Sequence, residues 1–133
     1  MVNVHVISNV NSTLLSYTES IVNTIHFDDD IQALNSVEEY KPSVVLLNYD
    51  FKGEQTPNYI GHLLAASTVS KVVVVGSDLS DNHVLKCLIS GAKGYQEIET
   101  FDDYAEKIIR VINEGEAWIT RRMVAVLLDS LRH

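Results

Sequence analysis

Cysteine, proline and basic side chains are scarce in this sequence of 133 residues. Cys87 is the one cysteine, which excludes an intramolecular disulfide and a zinc–thiolate cluster. A single cysteine also fits the reducing cytoplasm, where we expect the chain to act. Ten lysines and arginines stand against eighteen aspartates and glutamates, giving a net charge of −8. Because nucleic-acid binding needs a basic surface, we expect no direct contact of this chain with nucleic acid.

Long apolar runs are also absent from the sequence. The longest purely apolar runs, near residues 44–47 and 72–75, are far shorter than the roughly 20 residues that a membrane-spanning helix needs. The first residues lack the basic and apolar regions of a signal peptide. We therefore expect neither a membrane protein nor a secreted one. The length favours a single domain with its own core.

Five apolar segments predict β-strands. The clearest are residues 2–7, 43–47 and 72–75, and weaker ones lie near residues 23–27 and 94–96. The runs at 43–47 and 72–75 are continuous rather than alternating, which is typical of parallel strands covered on both faces.

Helical patterns alternate with these strands. A first helix is predicted over residues 13–22, and four later starts carry a residue that can cap a helix, namely Asp28, Thr56, Ser80 and Thr100. Thr100 and Asp103 have the spacing of a capping box. The alternation predicts an α/β fold, a doubly wound five-stranded parallel sheet with helices on both faces.

An additional helix is predicted at residues 118–132, with Thr120 as its cap. We divide the chain into a domain at residues 1–115 and this C-terminal extension at residues 116–133. The helix carries an apolar stripe, made of Met123, Leu127 and Leu131 and widened by Val124 and Leu128. The stripe is explained either by docking on the same domain or by a dimer contact or a lead into a further domain.

Three segments resemble bacterial response-regulator receiver domains. Residues 41–47, Lys-Pro-Ser-Val-Val-Leu-Leu, look like the K-P-D-V-V-L-L segment of that family, and residues 91–95, Gly-Ala-Lys-Gly-Tyr, are similar to its G-A-x-G-Y segment. Residues 115–122 look like the G-E-x-W-x-[ST]-R stretch that closes receivers of the LuxR-output (NarL/FixJ) subfamily. The resemblance implies the strand order 2-1-3-4-5 and an aspartyl-phosphate switch at the carboxyl ends of the strands.

Each residue that the switch requires has been replaced. Ser8 and Asn9 stand at the acidic pair, Asn48 at the phosphoacceptor, Gly76 at the hydroxyl position and Ile98 at the lysine position. An amide is not a nucleophile toward a phosphoryl group, and without carboxylates little is left to hold Mg²⁺. We therefore expect a degenerate pseudo-receiver that is not an enzyme and has no metal site and no cofactor.

Two aspartate groups near these positions offer alternative sites. Asp50 lies two residues beyond Asn48, where we expect a solvated loop. The run at residues 28–30 resembles a metal site, but we interpret it as a helix N-terminus, where acidic side chains are favoured.

Tyr95 matches the aromatic residue that changes position when receivers of this family are activated. Gly76 offers no hydroxyl to draw it inward, although it leaves room. One hypothesis is that Tyr95 is held in one position and gives a constitutive output face. The alternative is an ordinary half-buried tyrosine.

Residues 118–121, Trp-Ile-Thr-Arg, resemble the W-[FLM]-[TS]-R motif with which some LuxR-output biofilm regulators bind cyclic di-GMP. Trp118 could stack on guanine, Arg121 could contact guanine edges or phosphates, and Thr120 could bind a phosphate. The alternative is that Trp118 packs the last helix and Arg121 is a surface residue.

The sequence therefore predicts a phosphorylation-independent interaction module in signalling or transcription regulation, which forms a homodimer. The expected contact surface is the fourth predicted helix, the fifth strand and the fifth helix around Tyr95, with the additional helix. A helix-turn-helix output domain beyond this chain is a possible partner. The alternative function is a dimer assembled by cyclic di-GMP through Trp118, Thr120 and Arg121.

Overall fold

A computed structural model describes residues 2–132 of the chain, so His133, the end of the predicted extension, lies outside the described residues. Five parallel strands form one sheet in the order β2-β1-β3-β4-β5, which confirms the predicted α/β fold. The strands are β1 Val4–Ile7, β2 Thr24–Phe27, β3 Val44–Asn48, β4 Lys71–Gly76 and β5 Gly94–Glu97.

Seven α-helices are described. They are α1 Thr13–Thr18, α2 Asp30–Tyr40, α3 Tyr49–Lys52, α4 Thr56–Ala66, α5 Asp81–Ile89, α6 Phe101–Asn113 and α7 Arg121–Ser130. The 3-10 turn Gly53–Gln55 joins α3 to α4, and the 3-10 turn Ile98–Thr100 joins β5 to α6. The short α3 was not predicted, so the predicted third, fourth, fifth and additional helices are α4, α5, α6 and α7.

The sheet divides the core into two layers. On one face Ile7, Val45 and Leu47 join a cluster to which α2, α4 and α5 contribute. On the other face the alternate strand residues, such as Val6 and Leu46, pack with α1 and α6. Every residue of β3 is buried, as its continuous apolar run predicts for a central parallel strand, and every residue of β1 is buried as well.

Two predicted helix caps are present. Ser80 accepts a hydrogen bond from His83 N at 3.2 Å and begins α5. Thr120 Oγ1 accepts one from Met123 N at 3.1 Å and begins α7. Each side chain satisfies a backbone N–H that the first helical turn leaves free.

Two other predicted helix starts are wrong, and a third lacks its predicted capping bond. Asp29, rather than Asp28, caps α2, and its Oδ1 accepts from the backbone N–H of Ile31 and Gln32. Thr56 is inside α4, where its hydroxyl donates to two backbone carbonyls of the preceding turn. Thr100 is the N-cap residue of α6, as predicted, but its side chain makes no capping bond; its hydroxyl accepts a hydrogen bond from Gln96 Nε2 at 2.7 Å.

Helix α1 is shorter than predicted and ends at Thr18 rather than near residue 22. The Thr18 hydroxyl donates to the Leu14 carbonyl at 2.9 Å and also contacts His26 Nε2 at 2.8 Å on β2. Side-chain bonds of this kind compete with the helical ladder. They tie the end of α1 to the neighbouring strand.

Helix α7 docks on the same domain along one side. Met123 is 6% exposed and joins the core cluster beside α5, with Val126 packed against it. The other side of α7 is uncovered in the single chain, since Leu128 is 57% and Leu131 is 73% exposed. Docking therefore explains only part of the predicted apolar stripe, and Leu131 lies just beyond the last residue of α7.

Candidate functional site

The carboxyl ends of strands β1, β3 and β4 lie on the same side of the sheet, where the resemblance places the aspartyl-phosphate switch. Ser8 follows β1 and is buried, with its backbone N bonded to the Phe27 carbonyl at 3.0 Å. Asn9 lies in the next turn with its side chain exposed. Asn48 ends β3 and is 4% exposed. The structure thus brings Ser8 and Asn48 together and leaves Asn9 at the surface.

The side chain of Asn48 is held by three hydrogen bonds. Its Nδ2 donates to Ser8 Oγ at 3.1 Å and to Ser12 Oγ at 2.8 Å. Its Oδ1 accepts from Asp50 N at 3.0 Å and so caps α3. Both amide hydrogens are used inside the protein. Asn48 therefore links three segments at the position where a phosphoacceptor would stand.

Gly76 ends β4 in a crowded place. A Cβ atom at this position would lie 2.8 Å from Leu79 Cδ1 and 3.3 Å from Tyr49 Cβ. The ring of Tyr49 lies 5.8 Å from the ring of His83 on α5. The room that Gly76 leaves is thus filled by Leu79 and Tyr49, and a serine or threonine would not fit without a shift.

The position of the family's lysine carries no cation. Ile98 begins a 3-10 turn and packs against the core layer of α1 and α6. Two carboxylates flank it: Glu97 Oε2 accepts from Asp78 N at 3.1 Å, and Glu99 accepts a short hydrogen bond from the Ser77 hydroxyl. The bond from Ser77 lowers the pKa of Glu99. This corner is therefore acidic, unlike the pocket that the resemblance implies.

The aspartates near the pocket do not form a metal site. Asp50 lies in the first turn of α3, not in the predicted loop, and its side chain is exposed. Asp30 pairs with Lys52 at 3.0 Å, and this bond lowers the pKa of Asp30. Over residues 2–132 no group of three or more histidine, cysteine, aspartate or glutamate residues could hold a metal ion.

Tyr95 lies on β5 and packs against the core layer that includes α5. Its hydroxyl is buried and has no hydrogen-bond partner among the described residues. Burial, with the nearby Glu97 carboxylate, raises the pKa of Tyr95. A hydroxyl at Gly76, the partner that the family would offer, is missing.

Trp118 pairs through its backbone with β5, the edge strand of the sheet. Its backbone N donates to the Lys93 carbonyl at 3.0 Å, and its carbonyl accepts from Tyr95 N at 3.0 Å. Its indole Nε1 donates to Gln96 Oε1 at 2.9 Å. The ring lies 6.0 Å from the ring of Tyr104 on α6. These contacts are those of a packing anchor for the segment that leads into α7.

The three residues of the suggested nucleotide motif do not share one cavity. Trp118 and Thr120 line a cavity of about 560 Å³ between α5, β5, α6 and α7. Arg121 is exposed and is not among the residues that line it; Arg122 is, and it forms an ion pair with Asp81. Thr120 Oγ1 is already used as the cap of α7.

Some residues of this region were missed in the sequence. Ser12 and Ser77 bond to Asn48 and Glu99, and Tyr49 and Leu79 fill the space over Gly76. Ser77 directly follows Gly76, which is a signal that sequence reasoning could have used, whereas Ser12 lies three residues beyond Asn9. No local pattern indicates the packing of Tyr49 and Leu79.

The element order, the sheet order and this edge of the sheet define the fold of a response-regulator receiver domain. Solved structures agree: the chain superposes on a LuxR-family response regulator from Aurantimonas sp. SI85-9A1 with a TM-score of 0.78 at 12% identity, covering 100% of this chain and 99% of that one. The signal receiver domain of the putative response regulator NarL from Mycobacterium tuberculosis gives 0.73 at 17% identity, covering 86% and 98%. The predicted resemblance is confirmed at the level of the fold.

Among curated proteins, the chain is similar to the oxygen regulatory protein NreC. It is 24% identical to the Staphylococcus epidermidis protein over 124 residues, which covers 89% of this chain and 55% of that protein. The Staphylococcus aureus protein is 23% identical over 119 residues, with the same coverage. The chain thus spans about half the length of the curated relatives it matches. No protein-family model matches the sequence.

None of the helices in residues 2–132 is long and apolar enough to cross a membrane.

Proposed function

We propose that this chain is a pseudo-receiver that acts as a protein–protein interaction module in signal transduction or transcription regulation, without phosphorylation of an aspartate. The observation that carries the proposal is the bonding of Asn48. Its amide is used by Ser8, by Ser12 and by the first turn of α3. A receiver whose acceptor position is a structural amide has lost the group that would respond to a kinase.

The surroundings of Asn48 support the same conclusion. Mg²⁺ needs oxygen ligands, usually carboxylates, and the side chains that bond to Asn48 are two serine hydroxyls. Leu79 and Tyr49 close over Gly76, and the lysine position is an apolar Ile98 between two glutamates. Both the metal and the phosphoryl group would lack their usual partners.

The module forms a homodimer in this proposal. Its contact surface is the face of α5, β5 and α6 around Tyr95 together with α7. The uncovered leucines, Leu128 on α7 and Leu131 just after it, favour a contact between copies, because exposed apolar patches mark interaction surfaces. Gly76 has no side chain that could bond the Tyr95 hydroxyl. In this proposal Tyr95 therefore keeps one position, so the contact surface around it needs no activation. A helix-turn-helix domain beyond this chain is the proposed output.

The experiment treats the full chain with acetyl phosphate and Mg²⁺ and measures the intact mass. We expect no phosphoryl adduct, and light scattering should give the same dimer mass before and after treatment. Asn48→Asp is the matched variant. It restores a carboxylate but no metal ligands, so it should also stay unmodified. A phosphoryl group on the wild-type chain would overturn the proposal.

Cyclic di-GMP sensing is the second candidate, because Trp118 and Thr120 both line the cavity between α5 and α7. Light scattering with and without the nucleotide separates the two functions. A dimer that ignores the nucleotide and survives Arg121→Ala supports the pseudo-receiver. A monomer that becomes a dimer only with the nucleotide supports the sensor, and Arg121→Ala should then abolish that assembly.

A further inference from the structure

The cavity between α5, β5, α6 and α7 has the walls of a side-chain binding groove. It measures about 560 Å³ and is open to solvent. Its apolar and aromatic lining residues are Leu79, Val84, Tyr95, Tyr104, Trp118 and Met123. Tyr104 is 44% exposed, so one aromatic wall faces solvent. We call this cavity the α5–α7 groove.

The charged residues of the α5–α7 groove are mainly acidic. Asp81 and Glu97 line it, and Arg122, the one cation among the described lining residues, already forms an ion pair with Asp81. A second cation, Lys107 of α6, lies 5.9 Å from the centre of the Trp118 ring. Asp78 and Glu99 extend the acidic corner. The backbone N of Asp78 donates to the Glu97 carboxylate, and the Glu99 carboxylate accepts from the Ser77 hydroxyl. The Glu97 carboxylate is therefore left without a cationic partner among the described residues.

A second polar group at the groove also lacks a partner. The Tyr95 hydroxyl is buried, makes no hydrogen bond, and lies near the Glu97 carboxylate. Buried polar groups normally find a partner, and each exception calls for an explanation. The hydroxyl oxygen is covered, so a donor that entered the groove would bond the Glu97 carboxylate beside it.

These features match a cationic side chain. A guanidinium stacks on aromatic rings and donates to carboxylates in pairs, and a lysine ammonium is also attracted to ring faces. We propose that the α5–α7 groove binds an arginine- or lysine-bearing segment of a partner protein. This inference rests on the proposed function and names the kind of partner that the Tyr95 face accepts.

The same charges disfavour the nucleotide in this groove. A cyclic dinucleotide carries two phosphate charges, which would face Glu97 and the acidic corner, while Arg122 is tied to Asp81. The groove is on the side of α7 that carries Met123, whereas Leu128 and, just after the helix, Leu131 are uncovered. A second copy that covers the face around Tyr95 would compete with this partner for the groove, whereas a contact confined to the two leucines would leave the groove open.

The test titrates the isotope-labelled full chain with a short peptide of alternating arginine and leucine and follows the NMR signals. We expect shifts of the Tyr95 and Glu97 amides and of the Trp118 indole. A peptide with glutamate in place of arginine should bind at least about tenfold more weakly, because like charges would meet at the groove. Raising the salt from about 50 mM to about 500 mM should weaken the binding of the arginine peptide, because salt screens the attraction between the charges.

Glu97→Gln is the variant that addresses the groove. Glutamine keeps an oxygen that can accept from Asp78 N, so the fold is retained while the charge is removed. The affinity for the arginine peptide should fall about fivefold, whereas the control Glu114→Gln, on an exposed residue at the end of α6, should leave it unchanged.

Three results would overturn the inference: equal binding of the acidic peptide, equal loss in the Glu97→Gln and Glu114→Gln variants, or stronger shifts of the groove signals by cyclic di-GMP. The proposed function is tested separately. If the arginine peptide fails while the chain takes up no phosphoryl group and keeps its dimer mass, only the groove assignment is lost. A phosphoryl adduct removes the proposed function whatever the peptide does.

Discussion

The carbonyl oxygen of Trp118 lies 2.5 Å from the point where a side chain on Gly94 would place its Cβ atom. The Cβ of Trp118 is 2.8 Å from the same point. Real Cβ atoms do not approach other atoms so closely, so the segment that leads into α7 can lie against β5 only because residue 94 is glycine. The lack of a side chain at residue 94 therefore allows the C-terminal extension to pack against β5.

Gly94→Ala should therefore loosen this segment. We expect a loss of about 1–3 kcal/mol in the free energy of unfolding, the usual cost of forcing an additional carbon into packed atoms. Trp118 is the one tryptophan, so its fluorescence should shift to the red as the indole leaves Gln96 and Tyr104. Urea denaturation and the emission spectrum measure the two effects.

Gly61→Ala is the matched control. A Cβ at Gly61 meets nothing within 4 Å, and the residue is inside α4. Alanine is the better helix former, so this variant should gain about 0.5–1 kcal/mol and leave the emission unchanged. An unchanged stability in Gly94→Ala would contradict the close approach.

Asn48→Ala should destabilise the fold by about 2–3 kcal/mol, because it removes the cap of α3 and leaves the buried Ser8 hydroxyl without that partner. Asn58→Ala is the surface control: Asn58 is exposed and bonds to Gln55, and its loss should stay within about 0.5 kcal/mol. Thermal and urea unfolding measure both. Equal stabilities of the two variants would mean that the bonds of Asn48 carry no structural role.

The two sides of α7 should respond differently to truncation. Met123→Ala removes a buried side chain from the core and should cost about 2–4 kcal/mol in unfolding experiments. Leu128→Ala should change the unfolding free energy of the single chain by less than about 0.5 kcal/mol, since Leu128 is mostly exposed. In the proposed dimer it should instead shift the monomer–dimer equilibrium toward monomer, seen by light scattering at decreasing concentration. A dimer that is equally stable in Leu128→Ala places the contact elsewhere.

His5 should make the stability depend on pH. It is buried on β1, its Nε2 contacts Ser36 Oγ at 2.8 Å, and burial lowers the pKa of His5 below its ordinary value. Below the ordinary histidine pKa of about 6.5, His5 binds a proton more readily in the unfolded chain than in the folded chain. Stability from this residue is therefore complete above about pH 6.5 and is lost as the pH falls below that value.

Urea denaturation at a series of pH values between about 5 and 8 measures the His5 effect, in the pH range where histidine titrates. His5→Gln should flatten the dependence, while His62→Gln, a change on an exposed residue of α4, should leave the slope as in the wild type. The same slope in His5→Gln and in the wild type would assign the pH dependence to other groups.

Cys87 should resist alkylation in the folded chain. It is buried in α5, and burial raises the pKa of its thiol to about 11, so the reactive thiolate is rare at neutral pH. Iodoacetamide labelling followed by mass spectrometry should be slow in buffer and rapid in urea. Rapid labelling of the native chain would show that α5 opens readily or that the thiol is exposed.

The fold could be predicted from the sequence because each layer leaves a local pattern. The continuous apolar runs of β3 and β4 mark strands covered on both faces, and Ser80 and Thr120 mark helix starts by side-chain chemistry alone. The order of the strands came from the family resemblance and is confirmed by the pairing of β1 with both β2 and β3.

The errors arise where tertiary contacts decide. Thr100 has the spacing of a capping box, yet its hydroxyl accepts a hydrogen bond from Gln96 Nε2. The Gln96 amide is oriented for this bond because its Oε1 accepts from the indole of Trp118. Asp28 and Asp29 are equivalent in the sequence, and only the backbone geometry selects Asp29 as the cap of α2. At the candidate site the replaced positions were found, but the packing of Leu79 over Gly76 depends on a contact that no local pattern records.

The bonds between Trp118 and the sheet also bear on aggregation. A strand at the edge of a sheet offers unpaired amides on which a foreign strand can add. At the β5 edge the N–H of Tyr95 and the carbonyl of Lys93 are already taken by Trp118, so an incoming strand would first have to displace that residue. The opposite edge, β2, is only four residues long. The C-terminal segment therefore covers part of the edge on which a foreign strand could add.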